Sequence, residues 1–216
     1  MMDGMSSRPQ SRSVKIAADE RGGWSSDRPR RDGAPARPES IATHCSVLKP
    51  ADRLRYSPGS LLVVVCASKA ERDAFIARLI EDRSSVLSLD RVRALLEGRV
   101  ADEEIDARAS ELLRAAAAKR FEAKQTVVLA ADGLDADERE ALVRIATAQR
   151  RPRHLILLET SREQVPEEDV RALNALRRAL DAGELGNEGF QTAMRLGGSS
   201  PSEVKRIVFR PPVREE

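Results

Sequence analysis

Residues 63–75 read VVVCASKAERDAF. An apolar β-branched run, a turn of small residues and the start of a helical pattern follow one another there, the order in which many α/β enzymes offer a loop to phosphate. A loop of the form G-x-x-x-x-G-K-[ST] needs glycines so that its backbone can wrap the phosphates, a lysine to meet their charge and a hydroxyl to hold magnesium. The glycines and the lysine-hydroxyl pair are missing here. The same stretch supports a plainer reading. Ser68-Lys69-Ala70-Glu71 is an S-x-x-E capping box, with Ser68 taking a backbone N–H of the first turn and Glu71 reaching back to the cap. A helix starting at about Lys69 would then fill its own anion site.

The elements around this stretch alternate. LLVVVC (61–66) has the character of a strand buried on both faces, and the helical pattern after it places Phe75, Ile76, Leu79 and Ile80 on one stripe. SVLSL (85–89) reads as a second strand, followed by helices over about 90–97 and 102–122, the longer with Ile105, Ala109, Leu112, Leu113 and Ala116 on one face. TVVLAA (126–131) is a third strand, and Asp135 with Glu138 forms a D-x-x-E box before a helix carrying Leu142, Ile145 and Ala146. HLILLE (154–159) is a fourth, Pro166 opens a helical region to about Ala182, and RIVFR (206–210) is a fifth. Buried strands separated by helices predict a three-layer α/β domain with a mainly parallel five-stranded sheet and the 61–66 strand at its centre.

Composition sets the outer limits. The 216 residues, 41% hydrophobic and 33% charged, suffice for one globular domain and a tail. No apolar run approaches the roughly 20 residues needed to cross a bilayer and the first residues lack the apolar centre of a signal peptide, so a cytoplasmic protein without membrane contact is expected. Cys45 and Cys66 make no disulfide framework or metal spacing and are read as free thiols. Residues 1–57 hold eleven Lys/Arg against seven Asp/Glu and five prolines. They are read as a basic, Pro/Arg/Ser-rich arm, disordered over about 1–45, leaving 58–216 as the folded domain. RPRR at 28–31 and Trp24 could touch nucleic acid or a protein partner, or the arm is merely solvated.

The order of these elements, with YSPGSLLVVV, SLDRVRALLEG, AKRFEAKQTVVLAADGLDADER and EGF (188–190) before RIVFR, resembles the P-loop kinases, particularly the AAA-type ATPase/kinase domain of the bacterial polynucleotide kinase type, over about residues 58–210. The resemblance implies a P-loop NTPase-like fold. It also places Cys66 at the first glycine of the phosphate loop, Glu71 at the last, Arg72 at the lysine and Asp73 at the magnesium-binding hydroxyl. All four positions have changed, so the loop is a degenerate Walker A motif. Positive φ costs a non-glycine residue roughly 1 kcal/mol or more, and carboxylates at a helix N-terminus occupy the niche a phosphate would use.

Further along, Asp90 and Arg93 match the family's general base and acceptor-holding arginine, or they are a helix N-cap and a surface arginine. Asp132 stands two positions beyond the strand-end acid of the kinases, at Ala130, as a metal ligand or a turn residue. The kinases carry lid arginines after the fourth strand, for which Arg162 and Arg171 are the candidates here, although the acidic EQVPEED between them works against phosphate binding. Arg177 and Arg178 are read as helix-surface residues and His154 as structural.

Two functions follow. In the first the domain is a non-catalytic scaffold or interaction module with no cofactor and an unknown protein partner, nucleic acid being a further candidate through the basic arm. In the second it is an ATP- and Mg-dependent kinase or NTPase that phosphorylates a hydroxyl, with Ser68, Lys69, Arg72 and Asp73 at the phosphates, Asp90 as base and Arg93 on the acceptor.

Overall fold

The computed structural model describes residues 40–211. Its main sheet has six strands, all parallel: β1 (Ser46–Leu48), β3 (Leu61–Cys66), β4 (Val86–Ser88), β5 (Val127–Ala130), β6 (Arg153–Leu158) and β7 (Thr192–Leu196), in the order β1-β7-β6-β3-β5-β4. The remaining strands, β2 (Arg53–Tyr56) and β8 (Arg206–Phe209), pair in parallel as a separate two-stranded ribbon. β3 lies at the centre, between β5 and β6, and every one of its residues is buried.

Side chains alternate across the pleat and define two cores. Leu61, Val63 and Val65 meet α3 (Ile105–Glu122), α4 (Ala136–Ala148) and α5 (Val170–Asp181) on one face. Leu62, Val64 and Cys66 meet α1 (Lys69–Leu79) and the inward side of the ribbon on the other, joined by Val204 just after the short α6 (Ser200–Glu203). The stripe Phe75, Ile76 and Leu79 seats α1, each such side chain contributing roughly 1.5–3 kcal/mol relative to exposure. α2 (Leu89–Leu96) follows β4 directly.

Helix ends explain several sequence choices. Ser68 caps α1, its Oγ accepting the Glu71 N–H at 3.3 Å. Gly189, in EGF, holds φ +95°, and a Cβ there would stand 2.8 Å from Val143 Cγ1 and 3.0 Å from the Ile41 carbonyl. Glycine is required at that position. Beside it Glu188 accepts two hydrogen bonds from buried Arg139, at 2.6 and 3.0 Å, pinning α4 to the chain before β7.

The expected architecture holds with four corrections. The sheet has six strands, because β1 and β7 were not read as strands. RIVFR is extended but lies outside the main sheet, pairing with RLRY of β2. Residues 46–56 are part of the folded domain through β1 and β2, so the 57/58 boundary is too late. On α3 the buried set is Ala109, Leu113, Ala117 and Phe121, which leaves Leu112 half exposed. RPRR, Trp24 and the rest of the arm before residue 40 lie outside the described residues.

Candidate functional site

The chain leaves β3 for α1 on one face of the sheet and leaves the adjacent β5 for α4 on the other. Neighbouring strands whose connections diverge in this way open a crevice at their C-terminal ends, the usual ligand site of an open α/β sheet. Lys69 enters it from the first turn of α1, Asp90 from the first turn of α2, Arg93 one turn later, and Asp132 from the β5–α4 connection.

These side chains satisfy one another. Lys69 Nζ lies 3.2 Å from Asp90 Oδ1 and donates also to Asp132 Oδ1. Arg93 Nη1 donates to Asp90 Oδ1 at 3.1 Å and Asp132 Oδ2 at 2.8 Å, and its Nε to Asp106 Oδ1 at 2.7 Å. Arg72 has no exposed side-chain surface. Its Nη1 donates to the Ala131 carbonyl, its Nε to Asp73 Oδ1 at 2.9 Å, and its Nη2 stands 3.6 Å from Asp90 Oδ2. That Nη2 is also 2.8 Å from Asp73 Oδ1, but the N–H is not aimed along the contact, so no hydrogen bond forms there. Three cations thus share four carboxylates, an excess of negative charge where a nucleotide phosphate would need the opposite.

The pKa directions agree. The hydrogen bond that Lys69 donates to Asp132, opposed by burial, holds its ammonium above its ordinary value, and Arg93 moves the same way. Burial pushes the Asp132 carboxyl up, yet the hydrogen bonds from Lys69 and Arg93 together overcome it and leave it below the usual range. Glu138 is the exception. Its Oε2 accepts the Asp132 N–H at 2.8 Å, its Oε1 has no partner, and burial raises its pKa.

β3 ends at Cys66 and α1 begins at Lys69, so Ala67 and Ser68 alone connect them. Positive φ among the described residues occurs at Lys124, Arg150 and five glycines, none of them in this connection. Only the first half of the Ser68/Glu71 box forms. Glu71 turns to the end of β6, where its Oε2 accepts from the Thr160 hydroxyl at 2.8 Å, and that hydroxyl lies 3.1 Å from Cys66 Sγ. Burial raises the Cys66 thiol pKa, so it is a protonated packing residue.

Other expected roles change as well. Asp90 is not a cap: Ser88 is the N-cap of α2 and makes no side-chain cap bond, while Asp90 sits inside the first turn. Asp135 caps α4 by position without a side-chain bond, and the Glu138 side chain accepts the Asp132 N–H instead of reaching back to the cap, so neither half of the D-x-x-E box forms. Both Asp132 oxygens are taken by cations, and among the described residues no cluster of three His, Cys, Asp or Glu side chains is arranged to hold a metal. Arg162 falls in a 3-10 turn at Arg162–Gln164 and Arg171 is exposed on α5. Arg177 reaches the end of β6 and grips both oxygens of Glu159 with Nε at 2.9 and 3.0 Å, and Arg195 Nε stands 3.7 Å from the same carboxylate. Arg178 is exposed, as read. His154 is buried, its Nδ1 2.8 Å from Thr192 Oγ1 and its ring 4.5 Å from that of Tyr56. Burial, aided by the adjacent Arg153 charge, pulls its pKa down to about 4.

One signal for the burial of Arg72 was present in the sequence. Arg72 stands one turn before Phe75 and Ile76 on the stripe that ends at Leu79, which marks it for burial. Thr160 and Glu138 had no such periodic mark: Thr160 is recruited by a contact with Glu71 far along the chain, and Glu138 by the Asp132 N–H six residues before it.

No protein-family description matches the chain, and no curated protein matches it in sequence. Among solved structures it is similar to a protein from Chloroflexus aurantiacus j-10-fl described as a "putative kinase", at 16% identity and a TM-score of 0.41, over 68% of this chain and 90% of that one. A likeness of that degree carries no information about activity.

Proposed function

We propose that this chain is a degenerate, non-catalytic domain of the P-loop kinase type that acts as a scaffold or interaction module. The observation that carries the reading is the two-residue connection between β3 and α1 together with the full burial of Arg72. A phosphate cradle needs a loop long enough to direct several N–H groups at one point and a cation free to meet the charge. Here the helix starts at once, Ser68 takes the Glu71 N–H, and Arg72 is spent on the Ala131 carbonyl and two aspartates.

The kinase alternative has one observation in its favour. Lys69 and Asp90 are 51% and 41% exposed at the mouth of the crevice, so a hydroxyl could approach Asp90. It would still require Lys69 and Arg93 to leave their carboxylates, and Arg72 to leave the core, before ATP and Mg could be held by Ser68, Lys69, Arg72 and Asp73.

A loop-restoration experiment separates the two. Glu71→Gly with Arg72→Lys should neither create ATP hydrolysis nor raise Tm in millimolar Mg-ATP, because a bound ligand must stabilise the fold by mass action and the short connection still provides no cradle. A rise in Tm with Mg-ATP in the unaltered protein, absent in Lys69→Ala, would favour the kinase.

A further inference from the structure

The β2/β8 ribbon carries a second concentration of charge, on the α1 side of the sheet and toward the N-terminal ends of the strands. It is remote from the crevice at their C-terminal ends. Its register sets Arg53 opposite Arg206, Leu54 opposite Ile207, Arg55 opposite Val208 and Tyr56 opposite Phe209. Leu54, Tyr56 and Ile207 are buried in the core beneath, with Phe209 packed against them. Arg53, Arg55 and Arg206 are exposed on the outward face, and Arg210 continues it, its N–H held by the Tyr56 carbonyl at 2.9 Å.

Residues 49–56 and 205–211 together hold six Lys/Arg against one acid, Asp52, a net +5 in a chain whose total is +2. Arg206 pairs with Glu81 at 2.7 Å. Arg53, Arg55, Lys205 and Arg210 have no ion-pair partner among the described residues. A cavity of about 280 Å³ runs beside β8 from Arg206 to Arg210 and reaches Thr126. Two residues before Thr126 is Lys124, which, like Arg150, sits in the left-handed region at a helix C-terminus, on the same edge of the sheet.

We infer that the outward face of this ribbon is a docking surface for the phosphate backbone of a nucleic-acid duplex. Alternate residues on a strand lie about 6.6–6.8 Å apart, so Arg53 and Arg55 form a fixed row of charge suited to a row of phosphates. A two-stranded ribbon is of a size the major groove admits. The face presents no aromatic ring outward, which removes the stacking platform on which single strands depend. Val208 is its one apolar outward residue, too little to anchor it in a bilayer. Contacts of this kind position a protein on a duplex without reading its sequence. The surface is separate from the crevice, so Mg-ATP binding there would end the reading of the crevice and leave this one standing.

The test is fluorescence anisotropy of a labelled mixed-sequence DNA duplex titrated with the full chain over a series of NaCl concentrations. Binding is expected at low salt, with a log–log slope of about −3 to −4, as for roughly four neutralised phosphates. Arg53→Ala/Arg55→Ala should weaken it about tenfold or more and flatten the slope by about 2. Arg53→Lys/Arg55→Lys should keep most of it, and Arg108→Ala/Arg144→Ala, on distant helices, all of it. No binding at low salt, affinity unchanged in the Arg53→Ala/Arg55→Ala variant, or tighter binding to a single strand or to phosphatidylserine vesicles would each overturn the inference.

Discussion

The crevice and the ribbon hold the same kinds of side chain in opposite states. In the crevice Lys69, Arg72 and Arg93 are each committed to carboxylates of their own chain, whereas on the ribbon Arg53, Arg55 and Arg210 face solvent without a partner among the described residues. The motif-like stretch is therefore the region whose charge is least available, and the unremarked RLRY segment is the region whose charge is most available. Charge informs about binding only after its internal partners have been counted.

The contrast is broken most directly at Arg72. Arg72 is fully buried while its partners Asp73 and Asp90 are 61% and 41% exposed, so Arg72→Ala leaves a cavity and an unmet Ala131 carbonyl rather than a stranded buried charge, and should lower stability by about 2–4 kcal/mol in urea denaturation. A near-neutral change would mean that Arg72 is a ligand-binding residue held in reserve, and the crevice would then resemble the ribbon.

Acid tests the support of the ribbon. His154, beneath Tyr56, has a folded pKa near 4 against about 6.5 when unfolded, so the unfolded chain binds the proton more readily. Its contribution is complete above about pH 6.5 and is lost as pH falls toward 4, on the order of 3 kcal/mol in all. Glu138, raised by burial, works in the opposite sense as it takes up its proton. Comparison with His154→Gln isolates the histidine: that variant should show a flatter fall in urea midpoint between pH 7 and 4.5, and an equal fall would refute the assignment.

Within the crevice, a double-mutant cycle on Arg93 and Asp132, both about three-quarters buried, should give a coupling of about 1–2 kcal/mol. The same cycle on exposed Arg206 and Glu81 should give about 0.5 kcal/mol or less. Similar couplings would erase the difference between the regions. The smallest effect is expected at Arg53→Ala and Arg55→Ala, which should alter stability by no more than about 0.5 kcal/mol each.

The sequence made the helices legible because their signals are local. The apolar stripe 75–76–79, Ser68 before α1 and Pro166 before α5 each lie within a turn or two of what they specify. β3 and β6 were equally plain as runs of apolar residues. β2 was hidden because RLRY places an arginine at every second position, and β7 because TAMRL carries a threonine and an arginine. β2 is a strand by virtue of β8, more than a hundred residues away, and β7 by virtue of the two strands it lies between, β6 along its whole length and β1 at its start. The site divides in the same way. Asp90 and Arg93, one helical turn apart, are brought together as their spacing implies, but the pairing of Lys69 with Asp132, 63 residues later, exists only because β3 and β5 are neighbours.

Calorimetric titration of the unaltered protein with Mg-ATP bears most directly on the central claim, that the crevice is occupied by its own charges. The prediction is no saturable heat at millimolar nucleotide, at two temperatures so that a vanishing enthalpy at one of them does not mislead. A saturable isotherm at either temperature, abolished by Lys69→Ala, would contradict it.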